Sequence, residues 1–330
     1  MNKTSPNPPI SAVIPVRNGE RFIQTSFLDV QRNLALEDEA IFVVNGTSDS
    51  TLKILEKLSE SDNRVRIIEV EEGGIVGALN LGIQESKHSW IARFDVDDFY
   101  STDRLSQQRK LISKDTVAIF SDYNIVGLND EDLGIIPTGV NHLPTAISLF
   151  GKNRTPHPVA MFSKAAFLES GKYRQGDFPA EDLGLWLRMT RVGEFRTVPL
   201  PLLRYTLHGN SISLNHQNVA RKKAEELVSK IGIEQTIIQQ AIDSTKFILQ
   251  EYEVMSYAGE RKLLFLTNLY HAISHLKCSP RKKRSLKNSI ISKGVHPSFI
   301  FPTLRLGTRY KARRNYRSQI LTRTGQEKNE

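Results

Sequence analysis

One cysteine in 330 residues, Cys278, leaves no partner for an internal disulfide and no thiolate set for a zinc site. No apolar run approaches the roughly 20 residues that a membrane-spanning helix needs. The segment from Met1 to Pro9 is polar and proline-rich, with no apolar signal core. These absences lead to the expectation of a cytoplasmic protein in a reducing compartment, attached at most peripherally to the inner face of the cell membrane. Several motifs are missing as well. There is no G-x-G-x-x-G after a strand, which argues against a dinucleotide-binding dehydrogenase. No G-x-x-x-x-G-K-[ST] is present, against a P-loop ATPase, and no G-x-S-x-G nucleophile elbow. Of the eight histidines, His271 and His275 stand four apart, but within an apolar and aromatic stretch where packing or interface roles account for them.

Composition is otherwise that of a globular chain. Hydrophobic residues make up 39%, enough for one large core or two modest domains. The net charge of +9 is unevenly placed. From Arg261 onward there are 17 lysines and arginines against two acids, Glu327 and Glu330, so a mildly acidic body carries a strongly basic C-terminal region. Such asymmetry points to an anionic partner surface, membrane or nucleic acid.

Hydrophobic patterning predicts strands at Ile10 to Val16, Ala40 to Val44, Val65 to Val70, Trp90 to Phe94 and Val117 to Tyr123, with helices between them. The helices are expected over Glu20 to Leu34, from Leu52 to Leu58, over Ile75 to Ile83 and over Asp103 to Ile112. Strand and helix alternating four times predicts an α/β fold with a mostly parallel central sheet and flanking helices. Gly127 to Gly139 reads as a loop or lid. Short strands follow at Val159 to Ser163, Phe195 to Val198 and Leu202 to Leu207, and from Asn215 on the chain is mainly helical. Two regions are expected, a catalytic domain over 1–214 and a helical, basic extension over 215–330.

In parallel sheets, ligands bind beyond the carboxyl ends of the strands. The polar loops Pro15 to Gly19, Asn45 to Asp49, Gly73-Gly74 and Asp95 to Asp98 all fall there. The last holds three carboxylates within four positions, which repel unless a counter-charge sits among them. A solvated acidic turn is one reading. A divalent cation held by oxygen ligands and shared with a phosphate is the other. Glu181 and Asp182 stand together at the start of a helix, where dipole-favoured acids are one reading.

Nine segments in order carry a resemblance. They are I-P-V-R-N-G-E-R-F-I at 14–23, V-V-N-G-T-S-D-S-T at 43–51, G-I-V-G-A-L-N-L-G-I at 74–83, I-A-R-F-D-V-D-D at 91–98 and D-R-L at 103–105. H-P-V-A-M-F at 157–162, G-K-Y-R at 171–174, E-D-L-G-L-W-L-R at 181–188 and Y-T-L-H-G-N-S-I-S at 205–213 complete the set. Over residues 10 to 213 the chain resembles the family 2 glycosyltransferases, of GT-A fold. The resemblance implies transfer of a sugar, with inversion, from a nucleotide-diphospho-sugar to a hydroxyl. A UDP-sugar is the expected donor and a glycan or lipid-linked molecule the expected acceptor, in surface polysaccharide or glycolipid synthesis. It implies Mn²⁺ or Mg²⁺ held at Asp97, with Asp95 and Asp98 and with His208 approaching the metal or the diphosphate. Asp95 is further implied to face the ribose. Asp182 would be the general base and Glu181 its positioning neighbour. Donor contacts are implied at Pro15, Val16, Arg17, Asn45, Asp49, Asn80 and Arg93. On the acceptor side stand His157, with a structural hydrogen bond as its other reading, and Trp186, with core packing as its other reading.

Three positions depart from the family pattern. Asn45 stands where an acid usually reads the base, Glu71-Glu72 replace a basic residue before Gly73, and Gly184 replaces an acid after the base. The missing third-loop cation places more of the diphosphate's neutralisation on the metal, Arg17 and Arg93. Processive relatives carry membrane spans and a Q-x-x-R-W motif, and neither is seen. The basic region would then dock on an anionic membrane through residues 261–330. No nucleic acid partner is expected, although Tyr310 and Tyr316 stand among arginines. A nucleotidyltransferase on the same fold, or a non-catalytic nucleotide-sugar-binding protein, are the alternatives.

Overall fold

The computed structural model describes residues 8–71, 73–127, 129–139, 141–150, 155–208, 216–276, 278–292 and 316. The tail positions of the basic region other than 316, and residues 209–213 of the last motif, lie outside the described residues.

The first half alternates as the patterning predicts. Strands β1 (Ile10–Val16), β2 (Glu39–Asn45), β3 (Val65–Val70) and β4 (Trp90–Arg93) are separated by helices α1 (Ile23–Asn33), α2 (Thr51–Ser59) and α3 (Gly74–Glu85). All seven residues of β1 and of β2 are buried, because helices cover both faces of the sheet. After β4 come β5 (Phe99–Tyr100), α4 (Arg104–Arg109), β6 (Thr116–Gly127), β7 (Asp132–Ile136) and α5 (His142–Phe150). They are followed by β8 (Met161–Ser163), α6 (Lys164–Glu169), α7 (Glu181–Met189) and β9 (Glu194–Leu207). One nine-stranded sheet runs β3-β2-β1-β4-β8-β6-β9-β5, with β7 on the outer part of β6. β3, β2, β1 and β4 pair in parallel; β8 is antiparallel to both β4 and β6, and β6 pairs in parallel with β9. Six strands therefore run the same way, and their carboxyl ends form one edge.

Two expectations are refined here. The Gly127 to Gly139 loop contains β7, which forms a hairpin on β6 with Tyr123 opposite Ile136. The two strands expected at 195–198 and 202–207 are one strand, β9. Pro199-Leu200 bulges out of it, so that Val198 pairs with Ser121 and Pro201 with the next residue, Asp122.

Apolar residues alternate between the two sheet faces: Val13 joins one core layer, Ala12 and Ile14 the other. α3 lies unusually close to the sheet because Gly82 has no side chain. A Cβ there would stand 2.7 Å from Val13 Cγ1 and 2.8 Å from Val43 Cγ2. Helices α8 (Gln217–Ile231), α9 (Gln235–Asp243), α10 (Thr245–Glu253), α11 (Ala258–His275) and α12 (Pro280–Ser292) complete the described chain. They share the first layer: Leu227, Ile238, Leu269 and Ile290 belong to the same buried cluster as Phe120, Trp186 and Phe195. One core thus crosses position 214.

Candidate active site

The loops at the carboxyl edge are laced together by backbone polar groups that no strand satisfies. Asn18, held at φ +51°, accepts from Ser48 N–H at 2.8 Å and from Thr47 Oγ1 at 3.0 Å. Gly19 N–H donates to Thr51 Oγ1 at 2.8 Å. Asp49 accepts from Thr47 Oγ1, from Glu20 N–H and from Thr51 N–H at the start of α2. Burial pushes its carboxyl up, but these hydrogen bonds outweigh it and hold the group at about 2. Gly46, at φ +56°, brings the second loop against the third: a Cβ there would stand 2.7 Å from the Glu71 carbonyl oxygen. Pro15, Val16 and Asn45 are buried at the strand ends, and Arg17 is exposed.

Asp95, Asp97 and Asp98 follow β4 directly, and each offers a carboxylate oxygen within 4.8 Å of the others. Their surroundings differ. Asp95 pairs with the guanidinium of Arg93, which is 3% exposed. Its backbone N–H donates to Tyr100 Oη at 2.6 Å. Asp97 is the most open of the three, and its Oδ2 lies 2.6 Å from His208 Nε2. Asp98 accepts from Thr206 N–H of β9 at 2.8 Å through Oδ1, while its buried Oδ2 has no hydrogen-bond partner. Burial, then the neighbouring acids, push Asp98 well above the usual carboxylate range. Beneath them Arg104, of the D-R-L segment, stacks on Phe94 at 4.1 Å and donates to the Arg93 carbonyl at 2.7 Å. Three convergent carboxylates, one with an orphaned buried oxygen, are a donor set that suits a hard divalent cation.

Glu181 and Asp182 open α7. Glu181 is buried; desolvation and the adjacent Asp182 raise it to about 7. Desolvation raises Asp182 too, against a hydrogen bond from Leu183 N–H at 2.7 Å and the charge of Arg93. Arg93 thus acts on both acid groups, the three at β4 and the two at α7. Tyr173 sits between them. Its phenol is 2.8 Å from His157 Nε2 and within electrostatic reach of Arg93, Asp182, Glu181 and Asp95. Asn80 grips the Tyr173 backbone at both ends, donating to its carbonyl at 3.0 Å and accepting its N–H at 3.2 Å. Burial depresses His157 well below the ordinary imidazole value, so its ring is neutral.

Trp186 exposes no surface. Its indole packs edge-on against Phe120 and Phe162 and near His157, so it forms part of the floor under the site. Gly184 is explained by Asp177: a Cβ at 184 would collide with the Asp177 carboxylate, which pairs with Arg188 at 2.7 Å. Where the family pattern has an acid on α7, a carboxylate from the preceding turn fills the space.

A cavity of about 370 Å³ adjoins the triad, lined by Asp97 and Asp98 with Arg21, Phe22, Phe99 and Thr206 among others. Arg21 and Phe22 lie within the first matched segment, but spacing gave no reason to turn them toward the acids, since the fold of the first loop does that. Tyr173 was likewise inside a quoted segment and unassigned.

The model described as Glycosyl transferase family 2 matches residues 11–166. WbnJ, an O-antigen biosynthesis glycosyltransferase of Escherichia coli, is 30% identical over 207 residues, covering 61% of this chain and 81% of WbnJ. The chain belongs to glycosyl transferase family 2. A glycosyltransferase of Haemophilus influenzae is 25% identical over 296 residues, covering 81% of this chain and 91% of its own. Among solved structures, S. aureus TarS 1-349 in complex with UDP-GlcNAc superposes with a TM-score of 0.56 at 14% identity, over 86% of this chain and 88% of that one. The GT-A architecture of the glycosyltransferase is therefore shared with TarS.

Proposed function

We propose that this glycosyltransferase moves a hexosyl unit from a UDP-sugar to a hydroxyl of a glycan or lipid-linked acceptor, with inversion, in bacterial surface polysaccharide or glycolipid synthesis. The observation that carries this reading is the pairing of two acid groups, Asp95 to Asp98 and Glu181-Asp182, about one buried cation, Arg93. WbnJ supports the polysaccharide setting, and TarS in complex with UDP-GlcNAc supports the donor class.

Asp97 and Asp98, with Asp95, are the residues that would hold Mn²⁺ or Mg²⁺, and His208 stands beside them. When bound, the cation offsets the charge that develops on the departing nucleoside diphosphate. Asp95 and Arg93 fix the first carboxylate for the ribose side. Pro15, Val16, Arg17 and Asn45 form the wall against which the nucleotide would lie. Asn80 serves that wall indirectly, through Tyr173, and Asp49 by holding the first two loops together. Asp182 accepts the proton of the acceptor hydroxyl as its oxygen forms the new bond to the anomeric carbon. The bond from that carbon to the diphosphate oxygen breaks with its electrons leaving on the diphosphate, so the configuration inverts. Glu181, next to Asp182 at the start of α7, helps to position it. A lipid-linked acceptor would place the enzyme peripherally at an anionic membrane.

Screening nucleotide sugars for Mn²⁺-dependent hydrolysis and for thermal stabilisation tests the donor assignment. Stabilisation by a UDP-sugar is expected. Asp182→Asn is expected to bind the donor as tightly as the wild type while losing transfer by about 10²-fold or more. Full transfer by that variant would remove the base assignment.

A further inference from the structure

Helix α12 is fixed by one face and offers the other. Leu286 and Ile290 are buried in the main core, while Arg281, Lys282, Arg284, Ser285 and Asn288 face solvent. Arg281, Arg284, Ser285, Asn288 and Ser289 line a shallow depression of about 420 Å³. Their spacing of three and four puts them on one side of the helix. Each side chain in the lining carries hydrogen-bond donors, and no carboxylate lines it. Lys283 and Lys287, which flank it, are held within the fold: Lys283 Nζ donates to the Ser274 carbonyl at 2.7 Å, and Lys287 Nζ lies 3.9 Å over the Tyr270 ring.

Arg64, Arg66, Arg109 and Arg188 each pair with an acid. Among the described residues, Arg281, Lys282 and Arg284 have no acidic partner. The patch is also rigidly carried. α12 packs on α11, and α11 is tied to the sheet by Leu269 and Ile273 in the core and by Arg261, which is buried against Asp122 of β6.

We propose that this face of α12 is a docking site for the phosphate headgroups of an anionic membrane, the surface that would carry a lipid-borne acceptor. The second half of that statement rests on the function proposed above; the docking itself does not. Two guanidinium forks flanked by hydroxyls and an amide match a headgroup phosphate, which offers several oxygens at once. None of the exposed large apolar side chains lies on the described face of α12, so the helix rests on the headgroup layer without inserting. A nucleic acid strand is the weaker occupant: the lining has no aromatic ring for base stacking, and Tyr270 is covered by Lys287.

The test is co-sedimentation of the full chain with vesicles of phosphatidylcholine alone and of phosphatidylcholine mixed with phosphatidylglycerol. Binding to the mixed vesicles is expected, and Arg281→Gln with Arg284→Gln is expected to weaken it about 30-fold, the equivalent of about 1 kcal/mol for each cation. Lys53→Gln with Lys57→Gln, the same charge change on exposed positions of α2, is expected to cost less than about threefold. Arg281→Lys with Arg284→Lys should retain most of the affinity. Equal loss in the two glutamine pairs, equal binding to both vesicle types, or binding to single-stranded RNA without binding to vesicles would each overturn the proposal. If the glutamine pair melts early, salt dependence of the wild type decides: binding that persists in 1 M salt is not electrostatic docking. Transfer to a soluble acceptor is read in parallel. Its loss in the wild type would refute the glycosyl-transfer reading and leave the docking result standing.

Discussion

Asp122 and Arg261 form an ion pair from which solvent is completely excluded, between residues 139 apart in sequence. Asp122 lies at the register shift in β6, and Arg261 lies in the first turn of α11. Thr138 completes the arrangement: its N–H donates to Asp122 at 2.8 Å, and its carbonyl accepts from Arg261 at 2.8 Å. Arg261 also donates to the Ser256 carbonyl at 2.9 Å. The pair therefore joins the sheet, the segment after β7 and the helical C-terminal part.

Removing one partner strands the other charge in the core. Arg261→Met or Asp122→Asn alone is expected to lower stability by about 3 to 5 kcal/mol in urea denaturation. The double replacement Asp122→Leu with Arg261→Met is expected to recover at least half of that, since a buried apolar pair has no desolvation to repay. A double variant as unstable as the sum of the singles would show that the loss comes from packing, not from the isolated charge.

Asp49 gives a pH-dependent term of definite sign. Its carboxyl sits at about 2 in the folded protein against an ordinary 3.8. A depressed acid contributes stability above its unfolded pKa and loses it as pH falls through the folded one. The group is largely solvated, so its contribution is discounted to about 1 kcal/mol or less. Wild type is expected to exceed Asp49→Ala by that amount near neutrality, with the gap closing between pH 3.8 and about 2. A gap independent of pH would assign Asp49 no role as an ionised acceptor.

Glu181 and Asp182 set the acid limb of the rate profile. Glu181 is buried beside the half-buried Asp182, and it is raised to about 7 by desolvation and by Asp182. The pair titrates as a unit, and the base works only after a proton has left it. The limb of kcat/KM is expected above the ordinary carboxylate range, because burial raises Asp182. Glu181→Gln removes the like charge, so the limb should move toward acid while kcat falls less than in Asp182→Asn. A limb unmoved by Glu181→Gln would separate the two residues.

The parallel half of the sheet was legible because strands buried on both faces read as continuous apolar runs, and the loops that close them are polar. β1, β2 and β3 fall within one or two residues of the expected bounds. The rest depended on contacts that a local pattern does not encode. β8 enters antiparallel between β4 and β6, a placement that joins residues such as Trp90 and Ser163, or Ala118 and Phe162, that are far apart in sequence. Helix α5 was missed because it is apolar almost all round, so it lacks the stripe that marks a surface helix. In the site, the acids and their order came from the matched segments. His208, expected beside them from the last matched segment, lies 2.6 Å from Asp97, whereas nothing in the segments pointed to Asp177, which fills the place left by Gly184. Asn80 and Asp49, expected to touch the donor, spend their polar atoms on backbone and neighbouring loops. Trp186, expected on the acceptor side or in the core, has its ring in the core.

Arg93 is the buried cation between the two acid groups, and its loss should be felt at both. Its charge lowers Asp95, Asp98, Glu181 and Asp182 alike, partly offsetting the desolvation that raises them. In Arg93→Gln those carboxylates lose their counter-charge, so each holds its proton to higher pH. The acid limb of kcat/KM is therefore expected to move upward, opposite in sign to Glu181→Gln. Donor stabilisation by Mn²⁺ should need a higher pH as well, since protonated acids are poor ligands. Arg93→Lys keeps the charge but not the planar fork, and should restore the limb while leaving Asp95 less firmly placed. If Arg93→Gln lowers activity by the same factor at every pH, the guanidinium acts only as buried packing, and its place between the two acid groups carries no electrostatic role.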